Sequence, residues 1–367
     1  MVAINTAYST STYYKAATTA TASATSAATT TATTSSTSQS ATSVTLSDEA
    51  KAALAAKDFA TVLAEARAKL VALLKDADLT SPLQNDKLAI DLSTLDHREL
   101  FAMASDDSFT PDEQKAAGLE MQRRFEAALA GPAALAKVTG NFTALYKAAA
   151  EYLDGLGAEE KAGPDWIAGR AAVTEAQKQL QADPKTLPDA GEDDPVALYL
   201  ALVEAGEQIK PQPIADVATT ARKTLDALYA EANANGKVPT FNKKTTIGTY
   251  IDMSKFDSRS LSSIVLDTTG KFSAEEVGAA QTAMRGKSGA ALLAGFQNAA
   301  KSSDPTAFSQ NIMSLFGAMS AEERQAAGWS EQFYRAAVDS YTTTSKLTQM
   351  FAQAGGDSTG FMSWMGK

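Results

Sequence analysis

Two stretches of eleven residues decide the fold: Ile90–Leu100, which is IDLSTLDHREL, and Ile251–Leu261, which is IDMSKFDSRSL. Six of the eleven positions are identical at an offset of 161 residues. Self-similarity at a kept spacing is typical of repeated structural units. The two stretches therefore predict two tandem, diverged copies of one unit.

The sequence upstream of each stretch carries the same helical pattern. Apolar residues recur at the spacing of one helical face across residues 59–74. At an offset of 155, each aligns with an apolar residue within residues 214–229, and Arg67 aligns with Arg222. A register kept over about four turns predicts the same amphipathic helix in both copies.

The similarity continues downstream of each stretch. Phe109–Ala117 (FTPDEQKAA) aligns with Phe272–Ala280 (FSAEEVGAA) at an offset of 163, and the same offset brings Trp166 onto Trp329. The offset changes only where Pro, Gly, Asn and Asp indicate loops. We predict an all-α protein made of two multi-helix units, with one tryptophan anchoring the core of each.

Several polar pairs have the spacing of helix N-terminal caps, in which a hydroxyl and an acid three residues later satisfy free backbone N–H groups. The pairs are Ser93–Asp96, Ser254–Asp257, Thr110–Glu113, Ser273–Glu276 and Ser320–Glu323. Pro111 fits a first helical position, where no N–H is needed. We also expect the extended segments around Ile90 and Ile251 to pair as a small two-stranded β-ribbon.

Composition predicts a disordered leader. Residues 1–45 contain 15 Thr, 9 Ser and 11 Ala, with Lys15 as the only charged side chain. Such a segment buries too little apolar surface to offset its ordering entropy. It is interpreted either as a flexible tail or as an uncleaved export signal of the type III or flagellar kind, since the N-terminus lacks the features of a secretory signal peptide. Ile4–Thr6 resembles the start of some flagellins, over too few residues to assign a family.

A break at Gln181–Pro195, with three prolines and several acids, separates the two copies. We therefore predict five parts along the chain. They are the leader 1–45, unit 1 at 46–180, a Pro-rich acidic linker with a short helix at 181–212, unit 2 at 213–345 and an apolar C-terminal segment at 346–367.

Charge and cysteine content exclude several functions. The chain has 33 basic and 43 acidic residues, a net charge of -10, and no Cys. Because nucleic acid and anionic membranes bind clustered cations, neither is expected as a partner. The absence of Cys removes disulfides, thiolate nucleophiles and sulfur-ligated metals. The longest clean apolar run, Ala197–Val203, is far short of a membrane span, so no membrane insertion is expected.

His97 is the only histidine, and Ser258 occupies its place in the second copy. A symmetric metal or catalytic role is thereby excluded, and a zinc site has too few ligands. We expect His97 to be an exposed helix residue beside Asp96. The segment Asp267–Glu276 has Val265 at the first ligand position of a calcium loop, so a plain loop before a capped helix is preferred.

One polar set recurs in both copies and has two open interpretations. The carboxylates and the guanidinium could serve acid–base chemistry or bind a cation, or they could cap helices and pair locally. The set is Asp91, Asp96 and Arg98, with Asp252, Asp257 and Arg259 in the second copy. We favour capping, and we assign no catalytic, cofactor-binding or metal-binding residue and no cofactor.

The C-terminal segment contains an apolar cluster, Phe361, Met362, Trp364 and Met365. Chain ends usually fray and favour polar residues, so this cluster is expected either to fold back onto the second copy or to dock on a partner.

These features favour a non-enzymatic structural or protein-interaction protein. It is expected to be exported, located outside the cell or on a bacterial surface appendage, with a protein partner or its own copies as partner. One alternative is a cytoplasmic helical adaptor or regulator that binds a protein. The other is an enzyme or ion-binding protein that uses the paired Asp and Arg sets.

Overall fold

The computed structural model describes residues 57–355, and nearly all of their regular structure is α-helix, which confirms the all-α prediction. The leader 1–45 and the apolar cluster at 361–365 lie outside the described residues. The helices in the described range are α1 Phe59–Ala77, α2 His97–Ser105, α3 Pro111–Thr139, α4 Thr143–Asp154, α5 Ala158–Lys161, α6 Pro164–Ala182, α7 Pro195–Ala205, α8 Ile214–Ala234, α9 Ser258–Leu266, α10 Ala274–Ala300, α11 Ala307–Ala318, α12 Ala321–Ala327 and α13 Glu331–Gly355.

Two small sheets replace the single ribbon expected from the sequence. Strand β1 (Leu83–Gln84) pairs antiparallel with β2 (Lys87–Leu88), and β3 (Val238–Thr240) pairs in parallel with β4 (Gly248–Tyr250). The predicted pairing around Ile90 and Ile251 was wrong because each extended segment finds a nearby partner. In the first sheet, Asn85 and Asp86 have φ of 51° and 60°, the conformation of a tight two-residue hairpin turn.

The described residues divide into two compact units. The first comprises residues 57–129 and 140–213, and the second comprises residues 130–139 and 214–355. Residues 181–212, expected as a linker, are thus grouped with the first unit, and α7 packs there against α4 and α6.

The core of the first unit forms where the apolar stripe of α1 packs against α2. Val62, Ala66 and Leu70 of α1 are buried, as the spacing of the stripe predicts. Leu100 of α2 is fully buried against them, and burial of a leucine of this kind stabilises a fold by about 2 kcal/mol. A further group of buried side chains joins α4, α6 and α7 and includes Tyr146, Val173, Val196 and Tyr199.

The core of the second unit is built from α8, α9 and α10, with α12 packed on α9. Leu225 and Leu261 are completely buried in it. Helix α11 packs against α10 on one side and α13 on another. The aromatic rings of Phe316 and Tyr334 stack at 4.6 Å between α11 and α13.

The helix caps confirm part of the sequence analysis and correct part of it. Ser273–Glu276 and Ser320–Glu323 form capping boxes, and Thr110 exchanges the same two hydrogen bonds with Glu113 before α3 begins at Pro111. The caps assigned to Ser93 and Ser254 were wrong. Asp96 and Asp257 are themselves the N-cap residues of α2 and α9, since a carboxylate can accept the free N–H groups directly.

Candidate interaction surface

Each residue of the first recurring polar set, Asp91, Asp96 and Arg98, stabilises local structure with a different partner. Oδ1 of Asp96 accepts the N–H of Glu99 at 2.8 Å, and Asp91 Oδ1 accepts the N–H of Ser93 at 2.9 Å. Arg98 instead forms an ion pair with Glu159 of α5, with Nε donating to Oε2 at 3.0 Å. Burial alone would raise the pKa of Glu159, but the hydrogen bond from Arg98, a backbone hydrogen bond and the charge of Arg98 together lower that pKa.

The second set repeats these roles in the other unit. Asp252 accepts the N–H of Ser254 at 3.0 Å, and Asp257 accepts the N–H of Ser260 at 2.7 Å. Arg259 donates from Nη1 to the hydroxyl of Ser320 at 3.2 Å. The aspartates cap helix starts or turns, and the arginines bind residues at the starts of α5 and α12, which supports the structural interpretation of both sets.

His97 is not the exposed residue that the sequence analysis expected. Its ring packs edge-on against Tyr152, with centroids 5.4 Å apart, and its Nδ1 is buried without a hydrogen-bond partner. Burial, with a smaller contribution from Arg124, lowers the pKa of His97 to about 4. The prediction failed because Tyr152, 55 residues away in the chain, covers the ring.

The two tryptophans and the loop within residues 267–276 each make contacts that stabilise the fold. Trp329 is buried, whereas Trp166 is half-buried and donates its indole N–H to the carbonyl of Leu153 at 2.9 Å. Asp267 accepts the N–H of Lys271 at 2.8 Å in a loop before the capped helix α10. The plain-loop interpretation therefore agrees with the structure.

Each unit also contains a partly buried arginine that forms an ion pair with a glutamate in the first turn of a helix. In the first, Arg67 donates to Glu113 at 3.2 Å and lies 3.8 Å above the ring of Phe109. Stacking a guanidinium on an aromatic face in this way is stabilising. The sequence alignment singled out Arg67 and Arg222 but did not reveal these partners.

The matching arginine of the second unit makes a denser cluster. Arg222 donates to Oε1 of Glu276 at 2.7 Å and lies 5.5 Å from the ring centre of Phe272. The hydroxyl of Tyr229 donates to the same Oε1 at 2.8 Å. Burial would raise the pKa of Glu276, and the hydrogen bonds from Ser273, Arg222 and Tyr229 together lower it.

Within residues 57–355, no three His, Cys, Asp or Glu side chains are grouped so that they could hold a metal ion. In the same range no helix has both the length and the apolarity that crossing a membrane requires.

The most unusual exposed feature is one side of α10, called here the α10 face. It consists of seven exposed, uncharged residues: Gly286, Gly289, Ala290, Leu293, Phe296, Gln297 and Ala300. Leu293 and Phe296 are 57% and 58% exposed, which is unusual for large apolar side chains near each other on one helix. The spacing of three and four residues places all seven on one side of the helix.

The opposite side of α10 explains why the helix forms and how it is held. Ala280, Met284 and Gly295 are buried there, and Gly295 lies against Asn311 of α11. A Cβ atom added at Gly286 or Gly289 would meet no other atom within 4 Å. The α10 face is therefore open at these two glycines, which allow another helix to approach closely, whereas the ring of Phe296 lies edge-on to Phe308 of α11 with centroids 5.7 Å apart.

Sequence reasoning missed the α10 face, although a signal was present. Residues 288–300 form a run of thirteen residues without a charge, between Lys287 and Lys301. A buried helix would explain such a run equally well, and only the structure shows which side of α10 is covered.

Comparisons of the chain with protein-family models, with curated proteins and with solved structures gave no match.

Proposed function

We propose that this chain is a non-enzymatic structural protein that associates with copies of itself through the α10 face. The observation that carries this proposal is the exposure of Leu293 and Phe296 on a helix side without charge. Each side chain is a little more than half exposed, so burying both between two copies contributes about 1–1.5 kcal/mol for each of them.

Charge favours this surface over the others for self-association. A net charge of -10 makes copies of the chain repel each other. An uncharged face lets two copies meet without burying a charge, which would otherwise be costly. A two-fold axis through the middle of the α10 face would pair α10 with α10 of a second copy, as in most homodimers.

We further propose that the two units are diverged copies of one ancestral unit. Equivalent contacts at aligned positions support this proposal more strongly than identical residues do. The ion pair of Arg67 with Glu113 has a counterpart in Arg222 with Glu276, at the offsets of 155 and 163 that the sequence alignment gives. Each arginine also lies over a phenylalanine, Phe109 just before α3 or Phe272 just before α10.

The buried positions support the same proposal. Leu100 and Leu261, related by the offset of 161, are both completely buried in their cores. Leu153 of α4 and Phe316 of α11, related by 163, are both buried as well. Two unrelated helical units would not be expected to keep buried positions in register.

For the location of the protein, we propose export to the outside of the cell or to a surface appendage. Support comes from the composition of residues 1–45 and from the lack of Cys, which suits a chain threaded unfolded. The test compares cells and medium for the full chain and for a chain without residues 1–45. Retention of the full chain in the cytoplasm would contradict export and favour a cytoplasmic adaptor.

Self-association is tested by sedimentation velocity over a range of concentrations. We expect the mass of the wild type to rise with concentration, and Leu293→Glu and Phe296→Glu to remain monomeric. The matched control is Ile167→Glu on α6, since Ile167 is 56% exposed and the change in charge is the same. A wild type that is monomeric throughout, or variants that associate like the control, would refute the proposal.

A further inference from the structure

The second unit has a cavity of about 400 Å³ between the first half of α10 and the segment that leads from β3 to α9. Its apolar lining consists of Phe241, Tyr250, Met253, Ala279 and Ala283. The cavity opens to the surface beside Gly278, which is exposed and where an added Cβ atom would meet nothing within 4 Å. Clefts of this size and lining bind apolar groups, and this one has room for an aliphatic side chain.

The segment that leads from β3 to α9 also carries positive charge. Residues 237–255 contain four exposed lysines and one acid, namely Lys237, Lys243, Lys244 and Lys255 with Asp252. The side-chain hydrogen bond with Ser254 contributes most to lowering the pKa of Asp252, and the charges of Lys255 and Lys243 lower it further. Because Asp252 lines the cavity, these two lysines lie beside it. None of the four lysines forms an ion pair with another described residue.

A loop of the first unit, residues 187–193 (LPDAGED), has the complementary properties. Its charged residues are Asp189, Glu192 and Asp193, which are all exposed and form no ion pair with another described residue. Leu187 is 43% exposed. The side chain of Gln179 on α6 accepts the N–H of Asp189 at 3.0 Å and donates to the carbonyl of Asp189 at 2.9 Å. The loop therefore presents one apolar side chain and three acids on a backbone that α6 holds in place.

We propose that the cavity binds residues 187–193 of a second copy, with Leu187 against the apolar lining and the three acids beside Lys243, Lys244 and Lys255. Charge complementarity of this kind guides association and selects the partner. The inference rests on the proposed function, since the partner is again a copy of this chain, but it uses surfaces other than the α10 face. Because the two surfaces differ, the contact is head to tail, and repeated contacts of this kind form rings or filaments.

The head-to-tail contact is weaker than pairing of two α10 faces. Exposed ion pairs contribute little to stability, and Leu187 is the one large apolar side chain that the loop exposes. Leu293→Glu is therefore still expected to sediment as a monomer, and a covalent trap is needed to detect the head-to-tail contact.

The test is disulfide trapping between two full-length chains that both carry Leu293→Glu, so that their α10 faces do not pair. One chain also carries Leu187→Cys and a purification tag, and the other carries Gly278→Cys, each being the only cysteine in its chain. They are mixed under mild oxidation at an ionic strength of about 0.1 M, where a Debye length of about 10 Å screens repulsion between distant charges. We expect at least about tenfold more mixed dimer than with Ile167→Cys in place of Leu187→Cys, because opposite charges speed the encounter.

Charge reversal at the cavity tests whether the lysines guide the contact. Lys243→Glu with Lys244→Glu on the Gly278→Cys chain should reduce the mixed dimer to the amount that the Ile167→Cys control gives. The matched variant is Lys301→Glu with Lys346→Glu, which changes the net charge equally at exposed positions elsewhere in the second unit and should preserve the mixed dimer.

Two results would overturn the inference. One is no more mixed dimer from Leu187→Cys than from Ile167→Cys. The other is an equal effect of the two charge reversals, which would mean that net charge and not the cavity governs the encounter. Failure of pairing through the α10 face is separate, because it appears in the sedimentation of the wild type and both trapped chains already lack that pairing.

Discussion

The hydroxyl of Tyr146 donates a 2.6 Å hydrogen bond to Oδ2 of Asp194, and both side chains are buried. The other oxygen of Asp194 caps α7, so one carboxylate joins α4 to the start of α7. Burial, and then the hydrogen bond to Asp194, raise the pKa of Tyr146, which keeps its hydroxyl protonated as a donor.

Tyr146→Phe should lower the free energy of unfolding by about 1.5–3 kcal/mol, because it leaves a buried carboxylate oxygen without its donor. Urea denaturation at pH 7 measures this loss. Tyr341→Phe removes the hydroxyl of a tyrosine that is only partly buried on α13 and serves as the control. Equal stabilities of the two variants would contradict the role given to Asp194.

His97 should make the protein sensitive to acid. Its pKa is about 4 in the folded chain and near 6.5 when unfolded, so the unfolded chain binds the proton more readily. The contribution of a neutral His97 is complete above pH 6.5 and is lost as the pH falls toward 4, by up to about 3 kcal/mol. Denaturation of wild type and His97→Gln across this range measures the difference between them.

That difference isolates His97 from the groups around it. Asp96, Glu120 and Arg124 act on its charge and are present in both proteins. A difference in stability that is constant from pH 7 to pH 4 would mean that His97 does not titrate as proposed.

Glu160 should have the opposite dependence on pH. Burial raises its pKa to about 8, and its Oε2 is buried without a hydrogen-bond partner. The folded chain therefore holds a proton that the unfolded chain releases near pH 4.5, and stability is lost as the pH rises from 4.5 through 8.

Glu160→Gln should accordingly raise the free energy of unfolding by about 2–4 kcal/mol at pH 8.5 and change it little at pH 4.5. Urea denaturation at the two pH values tests this, with Glu175→Gln on the surface of α6 as the control. A stabilisation of equal size at both pH values would argue against a titrating Glu160.

Gly317 of α11 should not tolerate a side chain. A Cβ atom added there would lie 2.4 Å from the Cβ of Ala134, so Gly317→Ala should destabilise the protein by about 1–3 kcal/mol. At Gly278 of α10 an added Cβ meets nothing within 4 Å, and Gly278→Ala should stabilise by about 0.5–1 kcal/mol. Thermal unfolding of the two variants must therefore shift in opposite directions.

Local rules predicted much of the helical structure. The stripe beginning at Phe59 predicted α1, and Ser273 with Glu276 predicted the start of α10, because helical spacing and capping involve residues only a few positions apart. The burial of His97 and the partner of Asp194 were not predictable in this way. Each depends on a residue about fifty positions away, which the periodicity of one helix does not reveal.

The α10 face is another feature that could not be predicted from the sequence alone. An uncharged run such as residues 288–300 is equally compatible with a buried helix and with an interaction surface. Packing decides between them, because α11 covers the side that contains Gly295, while Leu293 and Phe296 remain more than half exposed even though the Phe296 ring contacts Phe308 of α11.

The most direct test of self-association uses the absence of native Cys, which makes any introduced cysteine the only one in the chain. Leu293, the midpoint of the α10 face, is replaced in Leu293→Cys, with Ile167→Cys on α6 as the control. If α10 pairs with α10 of a second copy, mild oxidation of Leu293→Cys will give a disulfide-linked dimer on a non-reducing gel. No more dimer than the control gives would contradict the account.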